Sequence, residues 1–140
     1  MNNILIDIDG TVSEVIPCSE SHRFKDAKVI NGAVSSINHL YDSGNIITFV
    51  TIRPEAYREI TENWLKSNGF KYNSLIMNKT KANQYYWINN LNVQGIKYDN
   101  NWESITNRLQ QIPEIENMVI TSPKKYRTIY DLQGGVNYII

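Results

Sequence analysis

The sequence predicts an α/β layered fold with a mainly parallel sheet. Three observations carry this. Short apolar runs with no alternation, such as Ile4-Leu5-Ile6 and Ile46-Ile47-Thr48-Phe49-Val50, read as strands buried on both faces. Stretches with apolar residues at helical spacing lie between them, and strands alternating with helices favour a parallel sheet. The paired aspartates, Thr51, Arg53 and Lys79 each fall just after an apolar run, where open α/β sheets place their ligand crevice.

The elements follow in order. Residues 3–8 form the first strand, and residues 12–27 are a polar loop or small flap. Val29, Ile30, Ala33, Val34, Ile37, Leu40 and Tyr41 share a helical face, and Gly44 is a natural stop for that helix. Residues 46–50 form the second strand. Pro54 suits the first turn of a second helix, with Tyr57, Ile60, Trp64 and Leu65 on one side and Gly69 at its end. Leu75-Ile76-Met77 is a short third strand. Tyr85 to Ile88 are aromatic and β-prone and predict a fourth strand, and Gly95 to Tyr98 a fifth. Asn100 or Asn101 caps a helix running to about residue 111, with Trp102, Ile105 and Leu109 inward. Met118 to Thr121 suggest another strand, and Gly134-Gly135 a turn in a terminal hairpin.

The chain of 140 residues has 14 basic and 14 acidic side chains and zero formal net charge. That balance leaves no electrostatic footprint for nonspecific binding to nucleic acid or anionic membranes. The length suits one domain over residues 1–140. No signal peptide or membrane-spanning run is visible, and the single Cys18 excludes an internal disulfide or a cysteine zinc cluster. These features predict a cytoplasmic protein. His22 and His39 are too few and too far apart in sequence to argue for a histidine-based site. Lys124, Lys125 and Arg127 read as a solvated turn.

The most informative segment is Ile4-Leu5-Ile6-Asp7-Ile8-Asp9-Gly10-Thr11. Two carboxylates two residues apart at a strand's carboxyl end are hard oxygen donors for Mg²⁺, and one could attack phosphorus. A calcium loop starting at Asp7 would need Gly and Glu at its sixth and twelfth positions, which hold Val12 and Cys18. Thr51 and Arg53 follow the second strand and could donate hydrogen bonds to phosphoryl oxygens, or cap the helix after Pro54. Lys79 and Lys81 follow the third strand and could offset phosphate charge.

Asp7-Ile8-Asp9-Gly10-Thr11 after an apolar strand resembles the first motif of the haloacid dehalogenase-like superfamily of phosphohydrolases. Phe49-Val50-Thr51-Ile52-Arg53 resembles the second motif, and the segment from Lys79 through Tyr85-Tyr86-Trp87-Ile88 to Asn89 resembles the third and fourth of small phosphatases in that superfamily. The resemblance covers roughly residues 3–98. It implies a Rossmann-like three-layer sandwich, in which residues 99–140 complete the fold or form a homo-oligomer contact. It also implies an aspartyl-phosphate mechanism with Asp7 as nucleophile, Asp9 as general acid and base, and Thr51 and Lys79 on the phosphoryl oxygens, with Lys81 in reserve. Gly10, Thr11, Ile52 and Arg53 then face the substrate, and Asp7, the Asp9 backbone carbonyl and Asn89 hold Mg²⁺.

The stretches from Val12 to Lys28 and from Arg53 to Met77 leave no room for a cap domain, so a capless enzyme with an open site is expected. Selection then falls to the flap, where Glu14, Cys18, Glu20, His22 and Arg23 are candidates, to a neighbouring subunit, or to a large substrate. The superfamily places an acid where Asn89 and Asn90 stand, and an amide ligand brings no charge, which lowers the expected affinity for the metal. The sequence therefore supports a Mg²⁺-dependent phosphomonoester hydrolase, and as the alternative a degenerate relative that binds a phosphorylated ligand without turnover. The substrate stays open among sugar phosphates, nucleotides, nucleic-acid ends and phosphoproteins.

Overall fold

The computed structural model describes residues 1–111. The chain divides into two compact units, Met1–Lys81 and a second that begins at Ala82. The expected strand at 118–121, the basic cluster at 124–127 and the terminal hairpin lie outside the described residues.

The first unit holds three parallel strands, β1 (Asn3–Ile6), β2 (Ile46–Val50) and β3 (Ser74–Ile76), in the order β1-β2-β3. Helix α1 (Ala33–Asp42) connects the first pair and α2 (Arg58–Ser67) the second. This is the mixed α/β, parallel-sheet architecture that the apolar runs predict. The register pairs Ile6 with Phe49 and Phe49 with Leu75, so these three share one face of the sheet. All three are buried. Phe49 meets the rings of Phe70 and Tyr72 edge-on at 5.6 and 5.5 Å, and Trp64 lies against Phe70 at 5.6 Å. Ala33, Ile37 and Leu40 of α1, and Thr61, Trp64 and Leu65 of α2, are the buried stripes at helical spacing. Helix α2 ends in a Schellman-type turn at Gly69 (φ +80°), where Phe70 N–H reaches back to the Leu65 carbonyl at 3.0 Å.

The opposite face carries a polar ladder. Ser74 donates to the Thr48 hydroxyl at 3.2 Å, and Thr48 donates to Asn3 Oδ1 at 2.9 Å. Leu5 and Ile76 on that face are exposed.

The flap is ordered by packing. A kinked 3₁₀ segment, Cys18–Asp26, buries Phe24, and the chain after it is pinned where Trp64 Nε1 donates to the Ala27 carbonyl at 2.9 Å.

In the second unit, α3 (Trp102–Gln111) starts where expected. Asn101 Oδ1 accepts the Ser104 N–H at 2.9 Å, an N-cap bond. Trp102 and Ile105 are buried, Leu109 is half-buried, and Trp102 packs on Tyr98 at 5.8 Å. The fourth and fifth strands expected at 85–88 and 95–98 are not formed. Tyr85, Tyr86, Trp87 and Ile88 are exposed instead. β-Propensity expresses fit to a pleated, half-buried surface, and aromatic residues stay irregular where no neighbouring strand supplies a ladder.

Candidate active site

The site grows from the carboxyl ends of the three strands. After β1 the chain turns sharply. The Ile8 carbonyl accepts N–H groups from Thr11, Val12 and Ser13 at 3.1, 2.9 and 3.1 Å, and Gly10 N–H donates to the Ser13 carbonyl at 2.8 Å. Gly10 has φ +82°, and a Cβ there would meet Val15 Cγ2 at 3.1 Å. Glycine is thus required twice over, by conformation and by space. Ile8 is fully buried between the two aspartates, while both carboxylates stay part-exposed.

The loops after β2 and β3 are knitted together. Lys79 N–H donates to the Thr51 carbonyl at 2.8 Å, and Asn78 N–H to the Arg53 carbonyl at 2.9 Å. Asn78 adopts φ +61°, a left-handed conformation that asparagine tolerates better than most residues. Its Oδ1 also accepts the Glu55 N–H at 3.1 Å. Asn78 thereby sets the direction in which Lys79 leaves β3.

Two ion pairs result. Lys79 Nζ lies 2.9 Å from Asp7 Oδ1, with side-chain exposures of 21% and 40%. Asp7 Oδ2 has no protein partner among the described residues. The second pair is of another kind. Arg53 Nε donates to Asp9 Oδ2 at 2.9 Å and Nη2 to Oδ1 at 2.8 Å, a bidentate fork. Its third nitrogen, Nη1, donates to the Thr61 hydroxyl at 3.2 Å. The Phe24 ring covers the guanidinium, with Cζ 3.8 Å from the ring centroid, and Arg53 is fully buried.

Of the residues predicted from sequence, Asp7, Asp9, Gly10, Thr11, Thr51, Ile52, Arg53 and Lys79 all lie at the carboxyl ends of β1, β2 and β3. Thr51 is fully buried and its hydroxyl accepts the Arg53 N–H at 3.2 Å, a turn bond within the loop; the helical segments after Pro54 have no side-chain cap, so Thr51 does not cap them. Ile52 is exposed. Lys81 is exposed beyond Lys79. Asn89 belongs to the second unit, where it is exposed and its Oδ1 accepts the Asn90 N–H at 2.8 Å. Among the flap candidates, Glu14 accepts the Lys28 N–H at 3.1 Å, Arg23 pairs with Glu20, and Cys18 and His22 are exposed. The sequence pattern does not single out Phe24, Thr61 or Asn78. Only Asn78 carries a local signal, an asparagine directly ahead of the lysine.

Near this site Arg58 pairs with Glu55 and Glu62. The hydrogen bond from Arg58 holds the Glu55 carboxyl below its ordinary range.

Three parallel strands with paired aspartates after the first, a threonine after the second and a lysine after the third make up an α/β fold of the haloacid dehalogenase-like kind. The profile of the family described as PITM 1-3, LNS2 domain matches residues 4–105, and the chain belongs to that family. No curated protein matches the chain. Among solved structures, the Pnkp1/Rnl/Hen1 RNA repair complex is 20% identical over 79% of this chain and 32% of that chain, with a TM-score of 0.51, a likeness of fold. A second structure of the Pnkp1/Rnl/Hen1 complex is 21% identical over 60% of this chain and 30% of that one, with a TM-score of 0.49. The chain thus spans about a third of the length of either. The D,D-heptose 1.7-bisphosphate phosphatase of B. bronchiseptica, solved with magnesium and phosphate, is 16% identical over 55% of this chain and 49% of its own, with a TM-score of 0.43. Among the described residues, no helix is long and apolar enough to cross a membrane.

Proposed function

We propose that the chain is a Mg²⁺-dependent phosphomonoester hydrolase that works through an aspartyl phosphate on Asp7. The observation that carries this reading is the unequal treatment of the two aspartates. Asp7 is held by one lysine on one oxygen and is 40% exposed, whereas both oxygens of Asp9 are engaged. A nucleophile needs a lone pair facing substrate, and Asp7 Oδ2 supplies it. In the first step Oδ2 bonds to phosphorus, the ester P–O bond breaks, and Asp9, entering the step in its acid form with the Arg53 N–H bonds on its remaining lone pairs, gives its proton to the departing alkoxide. In the second, Asp9 takes a proton from water, water oxygen bonds to phosphorus, and the bond to Asp7 breaks to release inorganic phosphate. Lys79 offsets charge on the phosphoryl oxygens in both steps.

The Asp7 carboxylate and the Asp9 backbone carbonyl would hold Mg²⁺. These are few protein donors, and Mg²⁺ completes its shell with waters and substrate phosphate oxygens. Bound there, the ion would neutralise charge on the transferring group.

A second reading, a binder of phosphorylated ligands without turnover, is favoured by Asn89 and Asn90 in place of acids. Phosphate release from a panel of phosphomonoesters, with Mg²⁺ and with chelator, separates the two. Release by the wild type that is abolished in Asp7→Asn supports the enzyme. Release by Asn89→Asp alone supports the binder, and release by neither folded protein overturns the hydrolase.

A further inference from the structure

The sequence offers Arg53 as a phosphate ligand, but its surroundings leave little of it to offer. The guanidinium is fully buried. Its Nε and Nη2 are spent on the two oxygens of Asp9, at 2.9 and 2.8 Å, and Nη1 on Thr61 at 3.2 Å. The Phe24 ring lies 3.8 Å from Cζ and closes one face. Even the backbone of Arg53 is tied on both sides, its N–H to the Thr51 hydroxyl and its carbonyl to Asn78 N–H. Partners from the loops after all three strands, the flap and α2 therefore determine where this one side chain sits.

We propose that Arg53 is a positioning residue, which fixes the orientation of the Asp9 carboxylate for proton transfer to and from substrate and makes no contact with the phosphoryl group. A carboxylate on a single side chain can rotate about χ2, and a bidentate fork from a buried, rigid guanidinium removes that freedom. Proton transfer requires the carboxyl oxygen within hydrogen-bond reach of the leaving oxygen, so a small rotation of Asp9 disables it. Phe24 and Thr61 hold Arg53 in turn, which makes the flap a fixed wall of the site. The proton-transfer role of Asp9 rests on the hydrolase reading above; the clamp itself does not.

The test compares two esters in wild type and Arg53→Lys, which keeps the charge but not the fork. An aryl phosphate such as p-nitrophenyl phosphate leaves without a proton, whereas an alkyl phosphate needs one. The ratio kcat/KM covers only the steps through loss of the alcohol. A misplaced general acid should lower kcat/KM about a hundredfold for the alkyl ester and at most about fivefold for the aryl ester, with KM little changed. An equal loss for both esters with a raised KM would assign Arg53 to phosphate binding and overturn the proposal. An equal loss that follows the fraction of folded protein would reduce Arg53 to a structural role and would overturn it as well.

The ¹³C carboxyl resonance of Asp9, assigned with Asp9→Asn, reads the clamp without turnover. It should be a single sharp line in the wild type and should shift or broaden in folded Arg53→Lys. An unmoved resonance overturns the clamp. No release from either ester by the wild type would remove the hydrolase reading, and the clamp would then stand or fall on this resonance.

Discussion

Asp7 and Asp9 differ by two positions in sequence and by a great deal in circumstance. Asp9 meets a buried guanidinium through two hydrogen bonds, and that pair has side-chain exposures of 1% for Arg53 and 13% for Asp9. Asp7 meets one ammonium through one bond, in a pair 21% and 40% exposed. A solvated, singly held carboxylate can change partners during a reaction at little cost. A desolvated, doubly held one cannot, and it keeps its geometry. One strand end thus presents a carboxylate free to react beside another that is fixed, and the division follows from the partner each receives.

The largest expected effect tests that division directly. Arg53→Met would leave Asp9 without its counter-charge in a mostly buried place, and breaking such a pair from one side costs about 3 kcal/mol or more. Lys79→Met removes the partner of the better-solvated carboxylate and should cost at most about 1 kcal/mol. Urea denaturation of the two variants measures both, and equal losses would erase the distinction. Turnover should separate from stability. On the proposed hydrolase reading, in which the ammonium acts on the transferring group, Lys79→Met should fold almost as well as wild type yet lose most of its phosphate release.

Much of this arrangement is legible in the sequence. The apolar runs locate all three strands of the first unit, and the paired aspartates, Thr51, Arg53 and Lys79 are visible because each follows a strand. The role of Arg53 is not legible, since it depends on Phe24 and Thr61, which are brought to it by the flap and α2. Nothing in the local pattern of either residue announces such a contact. The absent strands at 85–88 and 95–98 show the converse limit. Tyr85, Tyr86 and Trp87 carry strong β-propensity, and propensity is realised only beside a partner.

A smaller effect is expected at the turn that separates the two carboxylates. Gly10→Ala places a Cβ at φ +82° and within 3.1 Å of Val15 Cγ2. The left-handed conformation alone should cost about 1–2 kcal/mol. If the turn sets where Asp9 stands relative to Asp7, turnover by the folded fraction should fall by more than the loss of stability explains. A variant as active per folded molecule as wild type would show that the Arg53 fork places Asp9 without help from the turn.

The smallest effect lies at the exposed end of the same network, where Glu55 pairs with Arg58 and its N–H holds Asn78, the residue ahead of Lys79. The bond from Arg58 lowers the Glu55 carboxyl below its ordinary range in the folded state. A carboxyl lowered on folding contributes stability above its unfolded pKa, and that contribution disappears as pH falls through the folded value. Glu55→Gln should therefore lower stability slightly near neutral pH, converge with wild type at acid pH, and so flatten the acid limb of the stability curve. Because the pair is solvent-exposed, added salt should shrink the difference between wild type and variant. The interactions of Arg53 with Asp9, shielded from solvent, should respond to salt far less. A salt series on Glu55→Gln beside Arg53→Met, each of which removes one charge of its pair, therefore sets an exposed pair against a buried one, and an equal salt response in both would mean that burial is not what distinguishes them.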